Sequence, residues 1–506
     1  MPPWRSVHDL LRARASTHGA RDLLRFEGRR ATFAEVDARS SRLATVLRDR
    51  GVRPGDRVAI QLPNGIEFPV AWLAVAKAGG VVVPLSTKLR EADRRHLLQD
   101  SGASVAIAGA EQAPALAAVH DVLTLAPADS AGAALERAIA RAGEVVEGEP
   151  ASPGRVVTVQ YTSGTTGLPK GCLLTHAYWI ELATRMQEFA PWSADDVVLT
   201  AQPFSYMDPM WNLVLCLLIG VPLVILPRFS ASTFWRSVVD QRVTFFYCLG
   251  TMPTLLLKQP ETPTVDRAHR VRFVLCSGIP LDRHATFEAR WGVPWRETYG
   301  TTELGVVTLA PLDDVASVGT GDLGRVVPGK EIRVDATGEL LVRGRGLMEG
   351  YWNQPEATAA WRRNGWAHTG DLVRRDEAGR LRLVGRLKDM IRRGGENVSA
   401  VEVEMALCAH PGVRAAACVP VPDDVRGEEV KAFVLLAAGE TPATLPPQAL
   451  LAHVRARLAD FKVPRYVEYV AELPMTPSER VAKHELLARE ADQRQGAWDA
   501  QREEWG

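Results

Sequence analysis

The strongest constraint on this chain is an alternation. Stretches with helical apolar spacing, such as "FAEVDARSSRLATVLRDRG", take turns with short apolar runs, such as "RVAIQL", "GVVVPLS" and "SVAIAG". A short apolar run must cover both of its faces, and flanking helices are the economical way to do so. The pattern therefore predicts an α/β fold with layered helices and largely parallel sheets. The apolar stretch "LVLCLLIGVPLVIL", from Leu213 to Leu226, is interrupted by Gly220 and Pro222. It falls short of the roughly 20 residues of a membrane span, so a buried helix followed by a strand is expected.

A break in the pattern lies in "LVGRLKDMIRRGGENVSAVEVE", residues 383 to 404. An apolar strand ends at Gly385, a polar segment with two glycines follows, and Ser399 with Glu402 three places on has the spacing of a capping box. Beyond it come helix ("SAVEVEMALCAH"), strands ("AAACVPV", "VKAFVLL"), helix ("PQALLAHVRARLADF") and a last strand, enough for a compact α+β unit. The expected domains are a large N-terminal one, residues 1–386, and a small C-terminal one, residues 387–506. The alanine-rich stretch from about 109 to 154 reads either as a surface excursion or as ordinary helix and loop.

Sixty basic and sixty acidic residues cancel, so no net field favours nucleic acid or an anionic membrane surface, and small molecules are the expected partners. Six scattered cysteines, with no C-x-x-C pair, read as reduced thiols of a cytoplasmic protein rather than metal ligands. The start, "MPPWRSVHDLLRARAS", breaks every apolar run with charge, unlike a secretory signal, and is read as the start of the mature chain.

The chemistry begins at "VVTVQYTSGTTGLPKGCLLTH". A β-rich run, Val156 to Tyr161, leads into Thr162, Ser163, Gly164, Thr165, Thr166, Gly167 and, after two residues, Lys170. Small residues let backbone N–H groups approach phosphate oxygens, hydroxyls add donors, and lysine supplies a mobile charge. Pro169 and Gly171 flank the lysine, so the spacing is not that of a Walker A loop. The plain alternative is a flexible linker.

"YTSGTTGLPKG" resembles the signature loop of the adenylate-forming superfamily, which contains acyl-CoA ligases, luciferases and peptide-synthesis adenylation domains. "ETYGTTE" (297 to 303), "GWAHTGDL" (365 to 372) and "GRLKDMIRRGGENVSAVEVE" (385 to 404) follow in that family's order, so the resemblance covers essentially the whole chain. It implies that the small domain is a mobile lid hinged near Lys388. It implies that Tyr299 lies on adenine, Thr302 bonds the α-phosphate and Glu303 holds Mg²⁺, with ATP and coenzyme A as co-substrates. The residue types suit these roles: an aromatic face stacks on a base, a hydroxyl donates to an anion, and a carboxylate is a hard ligand. Asp371 and Arg386 resemble the ribose contacts. Arg393, Gly394, Gly395 and Glu396 resemble the loop that meets coenzyme A. Tyr206, Tyr247, Gly278 and Gly300 are the acyl-pocket candidates by motif position. Tyr206 stands where many relatives carry histidine. Asp208 followed by Pro209 reads more simply as a helix N-cap. Residues 226 to 259 resemble the carnitine/crotonobetaine-CoA ligase branch. The altered pocket and the arginine- and alanine-rich composition point to a bulky, polycyclic natural-product acid.

One departure stands out. In the family a turn near the C-terminus ends in Gly-Lys, and its lysine enters the site for adenylation. In "LPMTPSERVAKHEL" (473 to 486) the pair falls on Glu479 and Arg480, with Lys483 three places later. Adenylation brings two anions together, and arginine's planar fork need not fit a cavity shaped for an ammonium. Only nine of the sixty basic residues are lysines, but drift toward arginine does not explain Glu479. Thioester formation from an acyl-adenylate makes no call on that side chain. The sequence therefore predicts an acyl-CoA ligase whose adenylation step is weak or lost, fed with acyl-adenylate by a companion adenylating enzyme. The alternatives are a complete carboxylic acid-CoA ligase, with Arg480 or Lys483 serving, and a non-catalytic nucleotide-binding protein.

Overall fold

The computed structural model describes residues 4–116, 121–125, 140, 151–162, 169–394, 396–475, 481–489 and 492–506. It divides into two compact units. The first comprises Met1–Thr162, Pro169–Ile332 and Val342–Ala367; the second includes Arg333–Leu341 and His368–Gly506. The proposed hinge near Lys388 lies within the second unit's sequence range.

Two sheets organise the first unit. A nine-stranded sheet runs in the order Arg325–Val326, Gly305–Leu309, Trp295–Thr301, Phe273–Ser277, Phe245–Leu249, Val198–Thr200, Leu223–Ile225, Asp22–Phe26 and Arg29–Thr32. Its centre is parallel and its two ends turn back antiparallel. A six-stranded sheet, with the antiparallel hairpin Val156–Thr162 and Lys170–Thr175 at one edge, carries the phosphate-loop sequence. The parallel layers expected from the alternation are present. The strand Asp121–Leu125, inside the alanine-rich stretch, was not anticipated; most of that stretch lies outside the described residues.

Local sequence explains the elements. Thr32 and Glu35 close a reciprocal capping box on the helix Phe33–Asp49. The apolar stretch after Tyr206 forms the buried helix Met207–Ile219 and then the strand Leu223–Ile225, as expected. Among the described residues no helix is long and apolar enough to cross a membrane. The N-cap expected at Asp208 is displaced: Tyr206 is the N-cap and Asp208 lies in the first turn. Part of the core beside the nine-stranded sheet is a ring stack, with Trp235–Trp291 centroids 4.9 Å apart and Trp291–Trp295 5.4 Å. Truncating one of these to alanine would cost about 3–5 kcal/mol.

The second unit is built on a seven-stranded sheet. Gly427–Leu436 lies between Val413–Asp423, with which it forms a long hairpin, and Tyr466–Tyr469. The helices Ala400–Cys408 and Pro447–Arg455 bury Val403, Leu407, Leu450 and Val454 in one core with Val430 and Val434. Ser399 accepts from the Glu402 N–H, as its spacing predicted. The second helix ends six residues short of the expectation, and the chain continues as the short 3-10 turn Asp460–Lys462 before Pro464. Pro464 keeps Val463 extended, so the 3-10 turn stops there.

Candidate active site

The loop bearing Ser163, Gly164, Thr165, Thr166 and Gly167 lies outside the described residues, but the first-unit strands on either side of it are pinned. Thr162 and Lys170 pair across the hairpin, and Thr162 Oγ1 donates to the Lys170 carbonyl at 3.5 Å. Lys170 Nζ sits 5.2 Å from the centroid of the Tyr351 ring.

The "YGTTE" segment forms a tight turn between Trp295–Thr301 and Gly305–Leu309, where Thr301 pairs with Gly305 and Gly300 with Val306. Three neighbours hold the turn. Tyr178 Oη donates to the Thr302 carbonyl at 2.9 Å, the Met348 N–H donates to the Glu303 carbonyl at 2.9 Å, and Tyr351 Oη donates to Glu303 Oε1 at 3.2 Å. Thr302 Oγ1 points toward Met207 Sδ at 3.4 Å. The motif carboxylate and lysine thus meet at Tyr351, which the sequence alone did not single out. Burial, with Glu303 and Cys172 adding repulsion, pushes the Tyr351 hydroxyl's pKa upward, so it remains a neutral donor.

Tyr299 is buried at the end of its strand, and Gly300 beside it is exposed. Two strands away, Tyr247 Oη donates to Ser277 Oγ of the intervening strand at 2.9 Å, and Ser277 Oγ donates to the Thr298 carbonyl at 2.7 Å. Burial, with the Asp208 charge next, holds the Tyr247 hydroxyl protonated. Trp211 crosses the Tyr247 ring edge-on at 5.5 Å and donates to Asp208 Oδ1 at 3.3 Å. Tyr206 is half-buried at the head of the same helix. Gly278 sits at φ +90° with open space where a Cβ would stand, so it is suited to a ligand's close approach. Its N–H and that of Ile279 donate to Glu297 at 2.7 and 2.9 Å. Burial raises the Glu297 carboxyl to about 7 despite these two donors. Beside Tyr206, Gln160 Nε2 donates to the Ser205 carbonyl at 2.7 Å, while Gln160 Oε1 and Ser205 Oγ are buried with no hydrogen-bond partner among the described residues. Glu297 had been quoted within "ETYGTTE" but given no role.

In the second unit, Asp371 and Arg386 lie opposite one another across antiparallel strands, and Arg386 Nε donates to Asp371 Oδ1 at 2.8 Å. Glu339, also missed in the sequence, receives His368 Nδ1 and the Gly370 N–H, each at 2.9 Å, and so braces the turn that presents Asp371. Arg393 points inward. It is buried, with Nε 2.6 Å from Glu429 and Nη1 donating to the Phe461 and Val463 carbonyls at 2.8 and 3.0 Å. Strand alternation puts Arg392 on the exposed face instead. Gly394 and Glu396 are exposed, whereas Gly395 and the Lys388 side chain lie outside the described residues.

Arg480 also lies outside the described residues, but the ends of its segment are joined: Met475 bridges Val481, and the Ala482 N–H donates to the Pro474 carbonyl at 2.8 Å. Lys483, the neighbouring cation, is already engaged. Its Nζ lies 2.8 Å from Glu404 Oε1, which also accepts from the Cys418 N–H at 2.7 Å. Burial works against the ammonium, but Glu404 and Asp389 outweigh it and hold Lys483 charged.

Residues 11–352 match the AMP-binding enzyme family, and residues 402–480 match the AMP-binding enzyme C-terminal domain. The chain belongs to the AMP-binding enzyme family. Among relatives of this AMP-binding enzyme, feruloyl-CoA synthase from an Amycolatopsis species is 35% identical over 497 residues, spanning 94% of this chain and 97% of the relative. Crotonobetaine/carnitine-CoA ligase from Salmonella paratyphi C is 31% identical, spanning 93% and 97%. The structure of o-succinylbenzoate-CoA synthetase from Bacillus subtilis, in complex with its acyl-adenylate intermediate, superposes with a TM-score of 0.85 at 28% identity, over 95% of this chain and 98% of that one. The resemblance stated from the motifs is therefore established at the level of an acyl-CoA synthetase-type member of the AMP-binding family.

Proposed function

We propose that this chain is an ATP-dependent carboxylic acid-CoA ligase that performs both half-reactions. The observation that carries the reading is the Thr302–Glu303 turn, held on three sides, in a chain matching whole-length acyl-CoA synthetases. In the first half-reaction the substrate carboxylate oxygen attacks the α-phosphorus of ATP and pyrophosphate leaves. In the second, the coenzyme A sulfur attacks the acyl carbonyl, the thiol proton is released and AMP departs. Thr302 would donate to the α-phosphate, Tyr299 would pack on adenine, and Asp371 with Arg386 would receive the ribose. The reorientation between steps would turn about Lys388.

The site chemistry fits Mg²⁺. Among the described residues no group of three or more His, Cys, Asp or Glu forms a ready-made metal cage, and Glu303 offers one hard carboxylate that accepts from the Tyr351 hydroxyl. That donor set suits an ion carried mainly by nucleotide phosphates. Once bound, Mg²⁺ would neutralise phosphate charge. The acid we propose is ring-bearing, packed by Tyr206, Tyr247, Gly278 and Gly300, with a polar substituent that meets Gln160 Oε1 or Ser205 Oγ. Feruloyl-CoA synthase among the relatives supports an aromatic acid.

A second reading is favoured by one observation, Glu479-Arg480 where the family carries glycine and lysine. It is a ligase that takes a preformed acyl-adenylate to the thioester. With Lys483 committed to Glu404, Arg480 is the cation left to assist adenylation in the complete reading. The two readings separate when the protein is incubated with ATP, Mg²⁺, coenzyme A and a panel of aromatic and polycyclic acids, with acyl-CoA and AMP followed by mass spectrometry. Turnover supports the complete ligase, and Arg480→Lys then changes the rate by less than about threefold. Product only from synthetic acyl-adenylate, with adenylation raised by about 10²-fold or more in Arg480→Lys, supports the second reading.

A further inference from the structure

Lys330 lies in the first unit, buried at the start of the strand Lys330–Val334. Its Nζ donates to the carbonyl of Leu304, to that of Arg345 at 2.8 Å and to that of Gly346 at 3.3 Å. An ammonium has three donors, and here each meets a backbone acceptor. Leu304 is the residue directly after Glu303. Arg345 and Gly346 begin the segment whose Met348 N–H and Tyr351 hydroxyl hold the Glu303 main chain and carboxylate.

The two segments also meet without side chains between them. Gly305 has φ +62° and Gly346 φ +66°, and a Cβ on Gly305 would stand 2.9 Å from the Gly346 carbonyl oxygen. Neither position tolerates a side chain, so backbone lies against backbone and the lysine reaches in to join them. Buried carbonyls left without donors are costly, which makes this clamp a single unit rather than three independent contacts.

We infer that Lys330 is a positioning residue that clamps the Thr302–Glu303 turn to the Arg345–Tyr351 segment and thereby sets the Glu303 carboxylate for Mg²⁺ on the nucleotide. The inference rests on the ligase reading above, in which Glu303 faces the metal. Lys330 itself touches no substrate. Losing the clamp should leave the nucleotide's adenine and ribose contacts in place while letting the carboxylate drift.

Titration calorimetry of the full chain with ATP, once in Mg²⁺ and once in EDTA, separates these effects without requiring turnover. In Lys330→Met the gain in ATP affinity conferred by Mg²⁺ should shrink about tenfold, while affinity in EDTA stays within about twofold. An unchanged Mg²⁺-dependent gain overturns the inference, and so does an equal loss in both buffers, which would mark a merely structural lysine. If the variant does not fold, the wild type labelled with ¹⁵N-lysine gives the answer. Its Lys330 ammonium signal, identified by its absence from Lys330→Arg or Lys330→Gln, should shift when Mg²⁺ is added to the ATP complex. No shift overturns the inference. A wild type that binds no ATP would remove the ligase reading and this inference with it, whereas binding by the wild type with unaltered behaviour of the variant removes the inference alone.

Discussion

In the first unit the Glu303 carboxylate accepts from the Tyr351 hydroxyl, whereas in the second unit Asp371, Glu404 and Glu429 each face a full positive charge. The contrast has a chemical consequence. A carboxylate held by neutral donors keeps its charge and its spare lone pairs for an external cation, while one paired with lysine or arginine is largely neutralised. On the ligase reading proposed above, the first unit would supply the carboxylate oxygen for Mg²⁺. In the second unit Arg386, Arg393 and Lys483 are each engaged by a carboxylate.

The largest effect should come from removing the charge in the first unit. Glu303→Gln keeps the hydrogen bond from Tyr351 but not the negative charge. It should lower acid-dependent pyrophosphate release by about 10²- to 10³-fold, with thermal stability unchanged. In the second unit the corresponding loss should appear in stability. Arg393→Met leaves the fully buried Glu429 short of a partner, and should cost about 3 kcal/mol in urea unfolding. Lys483→Met breaks a partly exposed pair and should cost less, about 2 kcal/mol, while pyrophosphate release stays within about threefold. A collapse of adenylation in a folded Lys483→Met would show that this lysine is not merely an anchor. Tyr351→Phe deletes one hydrogen bond to the Glu303 carboxylate and should slow adenylation about tenfold, in line with about 1.5 kcal/mol.

Another expected effect depends on pH and concerns Lys330, a buried lysine of the first unit clamped by backbone carbonyls. Burial pulls the Lys330 pKa from 10.5 down to about 7, with Glu181 acting in the opposite direction; Arg185 pairs with Glu181, and the Arg345 side chain lies nearby. Between about pH 7 and 10.5 the unfolded chain binds more protons at this lysine than the folded one. Its contribution to stability therefore rises with pH through that window and is lost as pH falls through 7. Urea midpoints of the wild type should gain on those of Lys330→Met between pH 7 and 9. A constant difference would show that the lysine does not titrate there.

Much of the fold could be read from local pattern. The parallel layers, the helix and strand around Gly220, and the cap at Ser399 all follow from spacing and turn chemistry within a few residues. The strand Asp121–Leu125 could not be read, because "DVLTL" is short and sits in an alanine-rich stretch. In the site, motif residues such as Thr302, Glu303, Asp371 and Arg386 were named from the sequence, but the groups that hold them were not. Tyr351 reaches Glu303 across 48 residues and Tyr178 reaches Thr302 across 124, and no periodicity encodes such contacts. The direction of Arg393 was in principle legible. Alternation in "MIRR" sends Ile391 and Arg393 to one face and Arg392 to the other, and the apolar isoleucine marks the inner face.

The most direct test is isotope exchange between ATP and labelled pyrophosphate, driven by an aromatic acid in the unmodified protein with no coenzyme A present. A complete ligase exchanges label at a rate that Glu303→Gln reduces by about 10²-fold or more. No exchange with any acid, from a protein that still converts a synthetic acyl-adenylate and coenzyme A to thioester, would contradict it.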